Sequence, residues 1–287
     1  MCPIGKLVPI SRADWPKLRD LFKGNDLANE TPLNAIQNYI EWAQIDPKIR
    51  HLEILSLDDR WRENGTFIIS DRHELFFFTL DPTLESLYQA LELIDWDFPY
   101  RIFAILDQHQ AVLRQIFSKL NIPYPKTTVA CNLSRLPKEI GIRFEVTPPP
   151  GFRLGTLKSH HVQTINETWP FRSGGSEYAL TRCLLWNTNV GLFNDQDEPV
   201  AWCLLNNLGI ICVLYTVERY RRRGLAEVVL RSMVNKLAQR GMNAVTSVLL
   251  ENVPSRALFE KLGFEGDLTV HDSCHQVVDR LVEWNFF

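Results

Sequence analysis

The stretch Tyr220-Arg221-Arg222-Arg223-Gly224-Leu225-Ala226 decides the fold prediction for this chain. It joins a near-continuous apolar run, Ile210–Val217, to a segment with apolar residues at helical spacing, Leu225–Arg240. Such a run is typical of a strand that is buried on both faces. At a turn between a strand and a helix, backbone N–H groups and the helix dipole are directed at one point. Because Gly224 has no Cβ to obstruct a phosphate, and arginine binds pyrophosphate through paired N–H groups, the stretch predicts an anion site.

Two other interpretations of this turn stay open. The first is a solvated basic loop that only precedes a helix, although the positive end of a helix dipole is a poor place for three cations. The second is a nucleic-acid patch, but the basic stretch Arg219–Arg223 stands alone in the sequence. The formal net charge of the chain is -3, so no overall positive field attracts nucleic acid, and none is predicted as a partner.

A second stretch, Asn252-Val253-Pro254-Ser255-Arg256-Ala257-Leu258-Phe259-Glu260-Lys261-Leu262-Gly263-Phe264, predicts by itself only a capped helix that Gly263 ends. Together the two stretches resemble the acyl-CoA-binding core of the GNAT superfamily of acyl-CoA-dependent N-acyltransferases. The superfamily pattern Q/R-x-x-G-x-G/A is matched by Arg221, Gly224 and Ala226. The pattern N-x-x-A/S-x-x-L-Y-x-K-L-G-F is matched at Asn252, Ser255, Leu258, Lys261, Leu262, Gly263 and Phe264. The resemblance covers residues 152–287.

Within that superfamily, the chain most resembles the glycine N-acyltransferase-like family. Three segments carry this resemblance: Ile165–Glu177, Pro199–Trp202 and Leu214–Arg221. Enzymes of that family place a degenerate acyltransferase-like domain before the catalytic one. The resemblance therefore implies an α/β (α+β) fold in which a GNAT-like mixed sheet flanked by helices forms the C-terminal domain. A degenerate acyltransferase-like α/β domain is expected to precede it.

The clearest break in the chain is Thr147-Pro148-Pro149-Pro150-Gly151, because consecutive prolines cannot continue a helix or a central strand. We predict an N-terminal domain, a proline-rich linker and an acyl-CoA-binding domain over residues 1–136, 137–150 and 151–287. The C-terminal half has the predicted order β-α-α-β-β-β-α-β-α-β-β, with final strands near Phe264–Val270 and Gln276–Asn285. No internal repeat is visible in the sequence.

The N-terminal half is predicted to alternate helices and strands. Ser11 is expected to cap a helix. Strands at Thr66–Ile69 and Leu75–Leu80 are expected to form a hairpin, and Asp81-Pro82 to begin a helix that reaches Leu93. This half carries no recognisable catalytic signature.

The resemblance implies a site for acyl-CoA, the acyl donor, between two strands. Strand Ile210–Val217 is expected to splay from strand Ala244–Leu249, so that the pantetheine arm bonds to exposed backbone in the gap. A backbone N–H near Val217 is expected to stabilise the oxyanion of the thioester, and the loop Arg222–Ala226 to hold the pyrophosphate. The predicted donor-binding residues are Thr216, Val217, Arg221, Arg222, Arg223, Gly224, Leu225, Ala226, Asn252 and Ser255.

The catalytic residues stay unknown, because the chain departs from the family pattern at two positions. Phe259 stands where many superfamily members have a tyrosine that protonates the departing thiolate. Ile210 stands where glycine N-acyltransferases have a glutamate that is the proposed general base, and neither side chain can move a proton. Tyr215 and Glu177 are candidate substitutes, with core packing and a helix first-turn carboxylate as their alternative roles.

The sequence therefore predicts an acyl-CoA-dependent N-acyltransferase that acts on a small amine, with glycine or another amino acid as the favoured acceptor. The predicted acceptor pocket is formed by Trp169, Phe171, Ser173 and Tyr215. Packed loop anchors are the alternative interpretation of its first two aromatic residues. A non-catalytic acyl-CoA-binding or protein-interaction module is the alternative function, because Ile210 and Phe259 replace groups that transfer protons.

Composition limits the remaining partners. The longest apolar stretches fall far short of the roughly 20 residues that a bilayer span needs, so no membrane partner is predicted. The N-terminus lacks a secretory apolar region, which favours the cytoplasm, and the family resemblance also admits the mitochondrial matrix. The cysteines form no C-x-x-C pair, and His271 and His275 lie on a predicted turn and strand, so no metal is predicted.

Overall fold

The computed structural model describes residues 6–125 and 128–274, and these divide into two compact units. Unit 1 runs to Leu133 and also contains Val248–Glu251 and the described residues from Asp267 onward. Unit 2 comprises Ser134–Ser247 and Asn252–Gly266. The contiguous domain boundaries stay a prediction, and the final strand expected near Gln276–Asn285 lies outside the described residues.

Helices and strands are distributed along the whole described chain. The first half contains β1 (Val8–Pro9), α1 (Trp15–Asp20), α2 (Glu30–Ile45), β2 (Leu52–Ser56), α3 (Trp61–Asn64), β3 (Phe67–Asp71), β4 (Glu74–Phe78), α4 (Glu85–Leu91), β5 (Arg101–Leu106), α5 (Asp107–Lys119) and β6 (Thr128–Leu136). The second half contains α6 (Lys138–Gly141), β7 (Phe152–Gly155), α7 (Val162–Thr168), α8 (Ser176–Trp186), β8 (Asn189–Asn194), β9 (Pro199–Leu205), β10 (Ile211–Thr216), α9 (Leu225–Gln239), β11 (Ala244–Leu249), α10 (Val253–Lys261) and β12 (Glu265–Cys274).

Unit 1 is built on strands in the order β1-β2-β3-β4-β5-β12-β6. β4 and β5 run parallel, whereas β1/β2, β2/β3, β3/β4 and β5/β12 are antiparallel pairs. The predicted hairpin is confirmed, with Phe67 opposite Phe78 and Asp71 opposite Glu74. The Ser11 side chain accepts a hydrogen bond from the Ala13 N–H at the short turn that leads into α1. The helix expected to begin at Asp81-Pro82 begins only at Glu85, because a turn over the preceding residues comes first.

Unit 2 is a mixed sheet flanked by helices, as predicted. Its strands are ordered β11-β10-β9-β8-β7, and only β10 and β11 are parallel. Side chains alternate between the faces of β9. Trp202 and Leu204 pack in a cluster with α7 and α8. Cys203 points to the other face, where its thiol lies 3.9 Å from the carbonyl oxygen of Val229 in α9.

The two halves of the chain repeat one order of elements, although no repeat is visible in the sequence. The order β1-α1-α2-β2-β3-β4-α4-β5-α5-β6 recurs as β7-α7-α8-β8-β9-β10-α9-β11-α10-β12, with α3 and α6 as additions. In each half, an antiparallel meander is followed by a helix and then by a parallel strand. Helix α9 of the second half therefore corresponds to α4 of the first.

Part of the segment predicted as a proline-rich linker is structured. Helix α6 lies inside it and packs against α9, where a Cβ on Gly141 would lie 2.7 Å from Val234. The amide of Asn235 in α9 donates hydrogen bonds to the carbonyl oxygens of Gly141, Ile142 and Phe144. The segment is consequently fixed to α9 as far as Phe144.

Candidate functional site

Strand β10 diverges from its parallel neighbour after its first residue. Ile211 pairs with Thr246 of β11, and among the described residues no later position of β10 has a ladder partner on that side. On the other side, the register with β9 shifts between Cys212 and Tyr215, and Val213 has a φ of 50°. A β-branched residue at positive φ is uncommon and here marks a β-bulge, which bends the strand.

The prediction that Ile210–Val217 is buried on both faces is wrong. Ile210 and Ile211 are buried, but every residue from Cys212 to Val217 is half-buried. The apolar run packs one face of the strand against the cluster formed with α7 and α8. Because β11 leaves at the bulge, the remaining edge of β10 has no neighbouring strand in the described chain, and the side chains beside that edge keep partial exposure.

The open edge of β10 presents backbone N–H groups, but not that of Val217. Tyr215 pairs with Trp202 of β9, and the Val217 N–H donates to the carbonyl oxygen of Val200 at 2.9 Å. Backbone groups alternate between the two edges of a strand, so Leu214 and Thr216 turn theirs to the open side. The Thr216 hydroxyl is also buried there without a hydrogen-bond partner among the described residues. The N–H groups on the open edge are therefore those of Leu214 and Thr216, and an oxyanion donor near Val217 stays a prediction.

The basic turn after β10 contains two left-handed residues. Arg222 has a φ of 61° and Gly224 a φ of 75°. Such alternating backbone conformations turn successive N–H groups into one concavity that suits an anion. Gly224 is the N-cap of α9 and no side chain caps this helix, so the first-turn N–H groups of Leu225 and Ala226 have no protein acceptor in the described chain. A Cβ on Gly224 would meet no atom within 4 Å, so the space beside it is open.

The arginines of this turn have different surroundings. Arg219 forms an ion pair with Glu198 at 3.1 Å, and the Arg223 guanidinium lies 5.5 Å from the ring centroid of Tyr220. Arg222 is exposed and has no ion pair or hydrogen-bonded side-chain partner among the described residues. It is the cation of the turn most available to a phosphate.

The carboxylate that directly follows the turn in sequence is already paired with two cations. Glu227 lies in the first turn of α9, and its two oxygens accept from Lys261 at 2.6 Å and from Arg231 at 3.0 Å. The hydrogen bond from Lys261, followed by that from Arg231, lowers the pKa of the Glu227 carboxyl. The carboxylate is thus bound to two cations and repels a phosphate less than a free carboxylate does.

Asn252 and Ser255, both predicted to bind the donor, begin helix α10. The Asn252 side chain accepts a hydrogen bond from the Ser255 N–H at 3.2 Å, which is an ordinary N-cap. At the other end of α10, Lys261 reaches Glu227 of α9. The second sequence pattern therefore includes residues that cap a helix and join it to the basic turn, and donor contacts of Asn252 and Ser255 stay a prediction.

The residues predicted for the acceptor side have different surroundings. Trp169 and Tyr215 border the same apolar cluster, and the Tyr215 ring stacks on Trp202 with centroids 5.0 Å apart. Phe171 is 54% exposed. Ser173 takes part in the turn before α8, where its N–H donates to the Ser176 hydroxyl at 3.2 Å. Sequence reasoning gave no acceptor-side role to Trp202, which lies directly opposite Tyr215 and could have been found from strand pairing.

The two family departures are buried apolar residues. Ile210 and Phe259 are both buried, and the Phe259 ring contacts that of Phe264 edge to face at 4.9 Å. Of the candidate substitutes, Glu177 is exposed and accepts a hydrogen bond from the Asn166 amide at 3.3 Å. Tyr215 is half-buried in its stack. No catalytic residue is assigned by these contacts.

The described residues contain neither a metal-ligand cluster nor a membrane-spanning helix. Within residues 6–125 and 128–274, no group of three or more His, Cys, Asp and Glu side chains is arranged to hold a metal ion. His271 contacts Asp107 instead, and His275 lies outside the described residues. No helix of the described ranges has both the length and the apolar character required to cross a bilayer.

Known proteins with similar sequences or folds agree with the predicted resemblance. Residues 189–272 match the family described as FR47-like protein. Bovine (Bos taurus) glycine N-acyltransferase is 28% identical over 103 residues, which span about a third of each chain (35% and 34%). A Drosophila protein of solved structure superimposes with a TM-score of 0.83 at 20% identity, covering 94% of this chain and 98% of its own. A tandem GNAT protein from the clavulanic acid biosynthesis pathway gives 0.55 at 11% identity, covering 96% and 99%. The chain thus has the GNAT fold, and about a third of it is similar in sequence to glycine N-acyltransferase.

Proposed function

We propose that this chain is an acyl-CoA-dependent N-acyltransferase whose acceptor is a small amine, with glycine or another amino acid favoured. The open edge of β10, followed directly by the uncapped N-terminus of α9, is the observation that carries the proposal. An extended ligand with amide groups and a pyrophosphate at one end fits that sequence of features. The relation to glycine N-acyltransferase supports the choice of acceptor.

The donor would bind along β10 and end at the basic turn. The amides of the pantetheine arm would bond to the free backbone groups of β10 as an added strand does, with the Thr216 N–H on that edge, whereas the Thr216 carbonyl oxygen already accepts from Arg221. The pyrophosphate would lie against the N–H groups from Gly224 to Ala226, where the helix dipole favours negative charge. Arg222 would add a charge-assisted contact, and Gly224 leaves the space that the phosphate needs.

The reaction then needs one N–C bond to form and one S–C bond to break. The neutral amine attacks the thioester carbon, and the carbonyl oxygen becomes an oxyanion that a free N–H of β10, on Leu214 or Thr216, stabilises. Collapse of this intermediate expels the CoA thiolate. The nitrogen loses one proton and the thiolate gains one, so no covalent enzyme intermediate is required. Because Ile210 and Phe259 cannot carry these protons, water or another group of the site must do so.

A non-catalytic acyl-CoA-binding module is the second candidate function. It is favoured because Ile210 and Phe259 are buried apolar residues, so neither family position has a titratable group. Such a module would still bind CoA at the same turn. In either case the proposed compartment is the cytoplasm, or the mitochondrial matrix by the family resemblance.

Thiol release separates the two candidates. The full chain is incubated with acetyl-CoA or benzoyl-CoA and each of a panel of amino acids and simple amines, and free CoA is measured with a thiol reagent. Acceptor-dependent release supports the enzyme. Tight CoA binding by calorimetry without release from any acceptor favours the binding module, and the absence of both contradicts the proposed site.

A further inference from the structure

The side chain of Arg221 differs from those of the neighbouring arginines in its direction. The family pattern assigns Arg221 to the phosphate loop, yet its side chain turns back along β10. Its Nε donates a hydrogen bond to the carbonyl oxygen of Thr216 at 3.2 Å. Its guanidinium carbon lies 5.6 Å from the centroid of the Tyr215 ring. No carboxylate of the described chain pairs with Arg221, so its terminal nitrogens are available to a ligand.

The ring beneath Arg221 is held in place. Tyr215 stands opposite Trp202 on β9, and the two rings stack with an interplanar angle of 30°. Trp202 is fully buried, and Trp169 packs on the same cluster. Because arginine is planar and attracted to aromatic faces, the carbonyl of Thr216 and the ring of Tyr215 together orient the guanidinium.

This orientation places Arg221 at the boundary between the two proposed substrates. Thr216 belongs to the open edge along which the donor would lie, whereas Tyr215 faces the cluster with α7 and α8, on the side of the predicted acceptor residues. A planar guanidinium with free terminal nitrogens is suited to a carboxylate, which it can bind through two parallel hydrogen bonds.

We propose that Arg221 is an acceptor-specificity residue that binds the carboxylate of an amino-acid acceptor. The inference rests on the proposed function. Leu214 and Thr216 are two residues apart on β10, which is about 6.7 Å along a strand. The Arg221 guanidinium is held at Thr216, so a carboxylate bound to it would lie close to the oxyanion donor at Leu214. This short separation favours an acceptor whose amine and carboxylate are on one carbon.

The alternative is that Arg221 binds the pyrophosphate, as the family pattern suggests. The variants Arg221→Gln and Arg221→Lys test the choice, and Arg222→Gln is the matched control from the same turn. Each protein is assayed by thiol release at saturating acetyl-CoA, with an amino acid and its uncharged amide as paired acceptors (glycine and glycinamide first). CoA affinity is measured separately by calorimetry, and circular dichroism checks that each variant is folded.

The expected result is a loss of selectivity for the carboxylate. Arg221→Gln should lower the ratio of kcat/KM for glycine to kcat/KM for glycinamide by about ten- to a hundredfold, since a charged hydrogen bond is removed. Arg221→Lys should restore part of that ratio, and Arg222→Gln should leave it unchanged while weakening CoA binding. An unchanged ratio in Arg221→Gln, with CoA affinity reduced as much as in Arg222→Gln, would overturn the proposal in favour of pyrophosphate binding.

A binding measurement separates failure of this inference from failure of the proposed function. Amino acids and their amides are titrated into the complex of the chain with CoA, where no acyl group is present to transfer. If the wild type binds an amino acid and Arg221→Gln does not, the carboxylate site stands even when no acyl transfer is found. If no amino acid binds and no carboxylate preference appears in turnover, the inference is wrong whatever the chain does with CoA.

Discussion

Gly224→Val is the most direct test of the phosphate site, because its expected effect on folding is small and its expected effect on CoA binding is large. Its φ is +75°, a region that side chains other than glycine occupy at a cost of roughly 1–2 kcal/mol. A Cβ at this position would meet no protein atom within 4 Å, so packing adds nothing to that cost. Gly224→Val should therefore lower the unfolding temperature by a few degrees, at roughly 2–4 °C per kcal/mol.

The effect on CoA binding should be much larger than this backbone cost. At a ligand concentration of about 100 times Kd, CoA should stabilise the wild type by roughly 2.7 kcal/mol, which is a shift of several degrees. In Gly224→Val the side chain enters the open space where the phosphate would lie. The CoA-induced shift should then disappear.

Gly241 provides a matched control at the other end of the same helix. Its φ is +76°, and a Cβ there would likewise meet no atom within 4 Å. Gly241→Val should thus carry a similar backbone cost and keep the full CoA-induced shift, as measured by scanning calorimetry with and without CoA. If folded Gly224→Val keeps that shift, or if both variants lose it equally, the turn before α9 is not the phosphate site.

Three further outcomes are expected. His109 is fully buried without a hydrogen-bond partner in the described chain, and burial lowers its pKa to about 4. Because the unfolded chain takes up this proton near pH 6.5, the unfolding free energy should fall by about 3 kcal/mol as the pH drops from about 6.5 to 4. In urea titrations over this pH range, His109→Leu should remove this loss of unfolding free energy, whereas the exposed control His160→Leu should keep it. An equal pH dependence of the unfolding free energy in both variants contradicts the prediction. In limited proteolysis, cleavage after exposed Glu145 should precede cleavage after Lys138, because α6 is bound to α9; the reverse order would refute the packing. Calorimetry should give one CoA per chain, since α4 lacks the open N-terminus of α9, and two would disprove that difference.

Local sequence signals predicted the elements of unit 2 well because their causes are local. Asn252 caps α10 through a side chain and an N–H three residues later, and this contact needs no other part of the chain. Gly241 and Gly263, each at positive φ, end the two helices where the sequence placed their ends. The turn between β9 and β10 also has a local cause, since the Asn206 side chain accepts from the Leu208 and Ile210 N–H groups.

The features that the sequence did not predict depend on distant pairing. An apolar run indicates burial, but the loss of burial after Ile211 depends on where β11 diverges, and Thr246 is far away in sequence. In the same way, His271 of β12 pairs with Ile105 of β5, so the last described strand belongs to unit 1. The direction of the Arg221 side chain depends on Thr216 and Tyr215, which the pattern Q/R-x-x-G-x-G/A does not encode.

The turns before α4 and α9 occupy corresponding places in the repeated order of elements, but only the turn before α9 is a candidate phosphate site. The turn before α4 has no glycine at the left-handed position, which Leu84 occupies with a φ of 61°. There the Asp81 carboxylate accepts hydrogen bonds from the N–H groups of Thr83 and Ser86. The hydrogen bond from the Thr83 hydroxyl, together with those from the two N–H groups, lowers the pKa of the Asp81 carboxyl to about 2. The carboxylate therefore stays charged at neutral pH. A phosphate approaching α4 would meet a fixed negative charge and donors already in use, whereas the turn before α9 leaves its donors free.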